Sequence, residues 1–279
     1  MDKKLILVPT DFSKVGENAL NHAIKVATNS NAEVCMLHVV HKSDMLAEAR
    51  AKLKIAKERA KQEYGFDVIT VARVGTIFED IGDMAEELEA TLVIMGTQGL
   101  RGLQFITGGR ALRIVTNANT PFIIVQERPI RENGYDDIVV PLDLNKETRQ
   151  KLDLVADMAK YFDSRIHIIV PDETDEFLKN QVTRNLHSAR AFFDQMEIPH
   201  TTRIAEYKGD FDDAIIDYAV ELDADLISIM NLPGSSLANI IGGNYVQNII
   251  TNKAQIPAML LNPRQVTTAS IFGAFSGGK

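Results

Sequence analysis

The sequence predicts an α/β fold made of two tandem, doubly wound parallel sheets of five strands each. Three observations support this: a length of 279 residues, an internal repeat, and short apolar runs that alternate with longer amphipathic ones. Domains cluster near roughly 100–150 residues, so the length fits two ordinary domains. Strands that are apolar throughout suit a parallel sheet covered on both faces. Right-handed crossovers between such strands give a doubly wound sheet.

The repeat relates the two halves of the chain. Ile6–Asp11 recurs as Ile138–Asp143, and each is an apolar run that stops at a proline. Three further pairs recur in the same order: Val34–Leu37 with Ile166–Ile169, Glu87–Met95 with Glu221–Met230, and Pro121–Val125 with Pro257–Leu261. Such ordered self-similarity indicates a duplication. We expect domains at 1–127 and 136–263, the polar linker Glu127–Gly134 between them, and a Gly-rich C-terminal tail at 264–279.

The elements of the first half follow from the same periodicity. Strands are predicted near 4–9, 33–40, 67–74, 91–95 and 121–126, and helices near 12–29, 44–63, 77–89 and 109–118. Asp11 and Ser13 are candidate N-caps for the first helix, because their short side chains can accept hydrogen bonds from free backbone amides. Gly65 suits the end of the second helix.

Composition narrows the class of protein. The chain is 45% hydrophobic and 24% charged, which is typical of a globular protein, and it has no apolar run long enough to span a membrane. A formal charge of −8 argues against nucleic acid or anionic lipid as a partner. Cys35 is the only cysteine and lies in an apolar strand, so it is expected to be an inert core residue. We therefore expect a cytoplasmic protein.

A ligand is expected beyond the carboxyl ends of the strands, where the strand order reverses. Asp11 follows the first strand directly. Its carboxylate can accept hydrogen bonds from ribose hydroxyls or can cap the following helix, and the two roles are compatible. After the fourth strand comes Gly96-Thr97-Gln98-Gly99-Leu100-Arg101-Gly102, and Gly108-Gly109-Arg110 then precedes a helix. Glycines let the backbone approach a phosphate, and a helix N-terminus offers free amides to an anion.

These residues resemble the universal stress protein family. Members that bind ATP carry Gly-x-x-Gly, nine residues, and then Gly-Ser or Gly-Thr; here Gly96 and Gly99 are followed by nine residues and Gly109. The segments Val8–Ser13 and Leu37–Val40 also look like that family. The resemblance covers nearly the whole chain, with one copy of the family domain in each half. It implies an adenine-nucleotide α-hydrolase-like, Rossmann-like fold, and a stress-response regulator that binds ATP, with or without Mg²⁺.

The resemblance also implies where ATP would lie. Its cofactor-binding residues would be Pro9, Thr10, Asp11, Val39, Gly96, Gly99, Gly102, Gly109 and Arg110. Backbone near Val39 would read the adenine edge, Asp11 would face the ribose, and Gly109 and Arg110 would contact the phosphates. Arg110 departs from the pattern, since it stands where the family places Ser or Thr. It either replaces the hydroxyl as a cationic phosphate ligand or points to solvent; a register at Gly108-Gly109 also lacks the hydroxyl.

The second half departs further from the pattern. Asn231 stands in place of the first loop glycine, and only eight residues separate Gly234 from Gly243. Pro171 matches Val39 and removes a backbone donor at the adenine edge. Asp143, which matches Asp11, is retained. We therefore expect a degenerate site in this half.

Two functions remain open at this point. The first is a nucleotide-binding regulator; the second is a nucleotide-free scaffold with decayed pockets, acting through dimerisation and its C-terminal tail. We find no nucleophile–base–orienter set, so any turnover is expected to be slow ATP hydrolysis. By the resemblance, Phe122–Val125 and Ala258–Leu261 would pair within the chain as a pseudo-dimer. A homodimer and an unidentified protein partner are further expectations.

Overall fold

The computed structural model describes residues 4–97, 108–116, 118–142, 146–205, 210–231 and 245–263. Within these ranges the strands are β1 Leu5–Pro9, β2 Glu33–Val40, β3 Ile69–Val74, β4 Leu92–Gly96, β5 Phe122–Val125, β6 Asp137–Pro141, β7 Arg165–Pro171, β8 His200–Ala205, β9 Leu226–Met230 and β10 Ala258–Leu261. The α-helices are α1 Lys14–Ser30, α2 Leu46–Tyr64, α3 Ile77–Glu87, α4 Gly108–Thr116, α5 Leu152–Phe162, α6 Glu176–Gln195, α7 Phe211–Glu221 and α8 Tyr245–Ile250.

The ten strands form one continuous sheet in the order β3-β2-β1-β4-β5-β10-β9-β6-β7-β8. Every neighbouring pair is parallel except β5 and β10, which pair antiparallel with Ile123 opposite Met259. The predicted α/β class with doubly wound parallel sheets is confirmed. The two five-stranded sheets are joined edge to edge, which places the edge strand of each half inside the larger sheet.

The side chains of each strand alternate between two hydrophobic cores. Ile6 and Val8 of β1 belong to one core, and Leu7 between them belongs to the other. Helices α1, α2, α5 and α6 cover the first core, and we call this side the α1 face. Helices α3, α4, α7 and α8 cover the second core, on the α4 face. Each core runs through both halves of the chain, so the halves share their interior.

The connection between β5 and β6 is packed tightly against α1. The side-chain amide of Asn18 donates hydrogen bonds to the carbonyl oxygens of Gln126 (2.7 Å) and Arg128 (2.8 Å). His22, one turn further along α1, contacts the hydroxyl of Tyr135 at 2.8 Å. Hydrogen bonds from α1 therefore anchor the segment predicted as a polar linker, at Arg128 and at the residues that flank the segment.

The local signals at helix ends act as predicted. Ser13 is the N-cap of α1, and its hydroxyl accepts a hydrogen bond from the Gly16 amide at 3.1 Å. Gly65 ends α2 with φ of 65° and donates its amide to the Lys61 carbonyl. Cys35 is buried, and burial raises the pKa of its thiol to about 11. None of the described helices is both long and apolar enough to cross a membrane.

Candidate functional site

The turn between β1 and α1 is held in shape by its own side chains. The Thr10 amide donates to the Leu37 carbonyl of β2 at 2.9 Å, which continues the β1–β2 pairing by one residue. The Thr10 hydroxyl accepts from the Phe12 amide at 3.0 Å, and Asp11 Oδ1 accepts from the Ser13 amide at 2.9 Å. These bonds satisfy backbone amides before the helix starts, so the turn presents Asp11 in a defined position.

Asp11 has one carboxylate oxygen available for a ligand. Its Oδ1 is used by the Ser13 amide, whereas its Oδ2 accepts no hydrogen bond from the described part of the chain. The cap of α1 is Ser13, so Asp11 supports the turn that precedes the helix. Asp11 is therefore not the N-cap of α1, and its role as an acceptor for ribose hydroxyls stays a prediction. A half-buried carboxylate oxygen at the end of a parallel strand can accept a hydrogen bond from a hydroxyl group.

Phe12 and His38 form a contact beside this turn that the sequence analysis did not predict. Phe12 has a φ of 62°, which is uncommon for a residue with a bulky side chain. Its ring lies 4.6 Å from the ring of His38, centroid to centroid. His38 Nδ1 lies 2.7 Å from the Thr10 carbonyl oxygen. Since Nδ1 must donate to that oxygen, His38 fixes the turn. The chain separation of 28 residues explains why no local signal reveals this bond.

Pro9 and Val39 face the same side of the sheet. Val39 packs against the core of the α4 face. Pro9 follows Leu7 of that core by two residues, so it points the same way. Val39 lies at the carboxyl end of β2, opposite Arg73 in β3. The structure thus brings Pro9, Asp11 and Val39 to one edge of the sheet.

Gly96 ends β4 where that strand touches α1. A Cβ atom at this position would lie 2.7 Å from Cγ1 of Val15 and 2.9 Å from its carbonyl oxygen. Any side chain would therefore push β4 away from the first turn of α1. The glycine allows the end of β4 to lie against the first turn of α1, at the point where the strand order reverses.

The remaining predicted residues lie in or beside the loop between β4 and α4. Gly99 and Gly102 lie outside the described residues. Gly109 is in the first turn of α4, where backbone amides lack partners within the helix. Arg110 also belongs to α4, and the structure describes its backbone but not its side chain.

The strand register corrects one detail of the repeat. β4 pairs with β5 so that Gly96 lies opposite Val125, whereas Met230 lies opposite Leu261 in the second half. Met230, rather than Asn231, is therefore the structural equivalent of Gly96. The prediction was wrong by one residue because it matched Met95 with Met230, whereas the strand pairing matches Met95 with Ile229. Asn231 instead donates to Asn262 at 2.7 Å and so ties the ends of β9 and β10 together.

Pro171 lies opposite Ala205 in the second half, just as Val39 lies opposite Arg73 in the first. The predicted match of Pro171 with Val39 is confirmed by this register. Asp143, Gly234 and Gly243 lie outside the described residues.

A hydroxyl, an imidazole and a carboxylate come together at the opposite, amino-terminal end of the strands. Thr201 Oγ1 lies 3.0 Å from His167 Nδ1, and His167 Nε2 lies 2.7 Å from Asp137 Oδ1. Arg165 binds both oxygens of Asp137, at 3.0 and 2.7 Å. Burial would raise the pKa of Asp137, but the hydrogen bonds from Arg165 and His167 lower it below its usual range. The sequence analysis missed this set because its members lie on three different strands.

The equivalent positions in the first half are apolar. They are Leu5, Cys35 and Ile69, which pair in the same register. The polar set of the second half thus links β6, β7 and β8 through side chains, in place of an apolar contact. Across the described ranges, no group of three histidine, cysteine or acidic side chains is placed to hold a metal ion.

Comparison with known proteins shows that the sequence of this chain matches a protein family. The family model described as "Universal stress protein family" matches residues 3–126. A universal stress protein of Methanocaldococcus jannaschii is 32% identical over 141 residues, which make up 82% of that protein and 44% of this chain. The chain belongs to the universal stress protein family. A second universal stress protein of the same organism is 26% identical over 156 residues, or 96% of its length and 45% of this chain.

The likeness to a solved universal stress protein extends over both halves. The crystal structure of one from Archaeoglobus fulgidus superimposes with a TM-score of 0.71 and covers 94% of this chain and 97% of its own. Sequence identity between the two is 16%, so this comparison shows the fold alone. The family-model match falls in the first half, which also holds the predicted nucleotide site.

Proposed function

We propose that this universal stress protein binds an adenine nucleotide, such as ATP, at the carboxyl ends of β1, β2 and β4. The proposal rests on one arrangement with two parts: Asp11 has a carboxylate oxygen without a partner in the described residues, and Gly96 lies close to α1. The first gives a ribose hydroxyl an acceptor, and the second brings the end of β4 against the first turn of α1, beside the reversal of strand order where ligands bind in open α/β sheets.

The glycine spacing supports the phosphate end of the same site. Gly96 and Gly99 are followed by nine residues and Gly109, the pattern of family members that bind ATP. Gly109 lies in the first turn of α4, where free amides and the helix dipole favour an anion. Arg110, in place of the usual Ser or Thr, would supply a cation to the phosphates.

The second half supports a single site per chain. Met230 replaces the glycine at the end of the fourth strand, and Pro171 lacks the backbone donor at the position of Val39. We infer that this half stabilises the shared sheet and that a stress-response role depends on the first half.

The proposal is tested by binding ATP to matched variants. Asp11→Asn keeps the Oδ1 acceptor for the Ser13 amide but removes the charge, and Asp143→Asn makes the same change at the repeat-related position. Hydrogen bonds to charged groups contribute about 1.5–3 kcal/mol, so we expect Asp11→Asn to weaken ATP binding about tenfold or more. Asp143→Asn should bind like the native chain. Isothermal calorimetry with ATP, with and without Mg²⁺, measures both.

Two further readouts address the alternative of a scaffold without nucleotide. Denaturing the purified chain should release adenine nucleotide, which mass spectrometry detects. Added ATP should raise the melting temperature, because it binds the folded state. Absence of both signals at millimolar ATP would favour the scaffold. Equal effects of the two Asn variants would place any ATP site elsewhere.

A further inference from the structure

A cavity of about 310 Å³ lies between α1 and α2. Its floor is apolar and consists of side chains from three elements of the α1 face: Leu20 of α1, Met36 of β2 and Ala60 of α2. Phe12 and Ala56 complete the apolar wall. A cavity of this size with an apolar lining is within the range of small-molecule sites.

The cavity is separate from the proposed nucleotide site. Met36 and Leu20 belong to the core on the α1 face, whereas Val39 packs against the core on the α4 face. The sheet therefore stands between the cavity and Val39, and the two sites adjoin only at the turn between β1 and α1. Among the predicted nucleotide-binding residues that the structure describes, only Thr10 lines the cavity.

Small residues on facing helices create the space. Gly16 of α1 lies across from Ala56 and Ala60 of α2, and all three line the cavity. Larger side chains there would close the gap in the way that protein cores normally do. At the mouth, Ile55 is 66% exposed and Tyr64 is 48% exposed. A bound apolar molecule would bury part of these side chains and gain the contacts that the empty space lacks.

The charges around the mouth already have partners. Arg59 donates from Nη1 to Glu17 of α1 and from Nε to Glu63, both at 2.7 Å, and Lys52 pairs with Glu48 at 2.7 Å. The Glu17–Arg59 pair connects α1 to α2 across the opening. An uncharged ligand is favoured, because a charged one would compete with these ion pairs and lose its own hydration.

Two polar groups on the wall have no partner within the described residues: the hydroxyl of Tyr64, which is exposed, and the carboxamide of the half-buried Asn21. The Asn21 side chain lines the cavity and makes no hydrogen bond or ion pair within the described ranges of the chain. A carboxamide can both donate and accept, so it can recognise a hydroxyl or a carbonyl group.

We propose that the space between α1 and α2 is a second binding site, for a small uncharged ring compound with one hydroxyl or carbonyl group. Its volume is about twice the roughly 150 Å³ that holds a single benzene ring, so two fused rings fit. The ring lies on Met36 and Leu20, and its polar group meets Asn21.

The test uses 1-naphthol and its isosteric hydrocarbon 1-methylnaphthalene with the full chain. In protein carrying ¹³C-methyl methionine, 1-naphthol should shift the Met36 methyl resonance, assigned with Met36→Leu, in a saturable way. The methyl of Met95, in the core of the α4 face, should stay unchanged. The native chain should bind 1-naphthol more tightly than 1-methylnaphthalene, and Asn21→Leu should abolish that preference.

A matched pair of variants on α2 tests the position. Ala56→Leu fills the cavity and should raise the dissociation constant of 1-naphthol about tenfold or more, since overpacking costs about 1–3 kcal/mol. Ala51→Leu makes the same change at an exposed position outside the cavity and should bind normally. The proposal is overturned by lack of saturable Met36 shifts, by equal behaviour of the two Leu variants, or by displacement of 1-naphthol by ATP. The Met36 shift is measured on the native chain, so it tests the proposal even if the Ala56→Leu variant does not fold.

Discussion

His22 makes the stability of the protein sensitive to mild acid. The side chain is 1% exposed, between α1 and the connection that leads into the second half. Its Nε2 lies 3.3 Å from the Arg128 carbonyl oxygen, and its Nδ1 lies 2.8 Å from the Tyr135 hydroxyl. A carbonyl can only accept, so Nε2 carries the proton and Nδ1 accepts from Tyr135. A second proton on the ring would place a charge in the core and would reverse the bond to Tyr135, whose hydroxyl would then have to accept.

The sign and size of the effect follow from the pKa. Burial lowers the pKa of His22 to about 4, against a smaller opposing effect of the Arg128 carbonyl. In the unfolded chain the pKa is about 6.5. The unfolded state therefore binds more protons between these two values, and stability present above pH 6.5 is lost as the pH falls. The full loss is about 3 kcal/mol, and about 2 kcal/mol of it occurs between pH 7 and pH 5.

Urea unfolding at pH 7, 6 and 5 measures this loss. His22→Gln keeps a donor and an acceptor but does not titrate, so its free energy of unfolding should fall by about 2 kcal/mol less than that of the native chain over this range. His187→Gln, at an exposed position of α6, should behave like the native chain. An NMR titration of the His22 ring should give a midpoint well below 6. A midpoint near 6.5, or equal pH dependence of the native chain and His22→Gln, would refute the reasoning.

Three other changes test separate parts of the structure. Gly96→Ala should lower the free energy of unfolding by about 1–3 kcal/mol, since the new Cβ would meet Val15. Urea unfolding measures this free energy, and an unchanged value would contradict the close approach of β4 to α1. Asn252→Ala should cost about 1–3 kcal/mol in the same assay, because its buried side chain bonds three backbone groups near the end of α8; a cost near zero would contradict this. The pKa of Asp137 is lowered by Arg165, so the stability it contributes is lost as pH falls through that value. Arg165→Met should raise this pKa and move acid unfolding to higher pH by circular dichroism, whereas an unchanged midpoint would contradict the assignment.

The fold was predictable because its signals are local. The bounds of each strand of the first half lie within about two residues of the prediction, and apolar residues make up most of each strand, least so in β3. Ser13 accepts a hydrogen bond from an amide three residues away, and Gly65 donates one to a carbonyl four residues away, so their roles could be seen in the sequence. The repeat also predicted that Pro171 is equivalent to Val39, and the strand pairing agrees.

The site was only partly predictable, because much of it depends on contacts between distant segments. His22 and Tyr135 are 113 residues apart, and their role rests on the packing of α1 against the connection. The cavity arises from small residues on two helices, and the periodicity of α2 says nothing about its distance from α1. The match of Gly96 with Met230 required the strand register, because the sequence repeat alone aligns Met95 with Met230.

The antiparallel junction of β5 with β10 has a consequence for how this molecule responds to its concentration. In two separate chains such a junction would form and dissolve by mass action, and a ligand could act by shifting that balance. Here a single covalent chain supplies both strands, so dilution does not separate them. Any signal from the first half must therefore travel through a change in shape, or through association at another surface. The free borders of the sheet that remain for such association are β3 and β8.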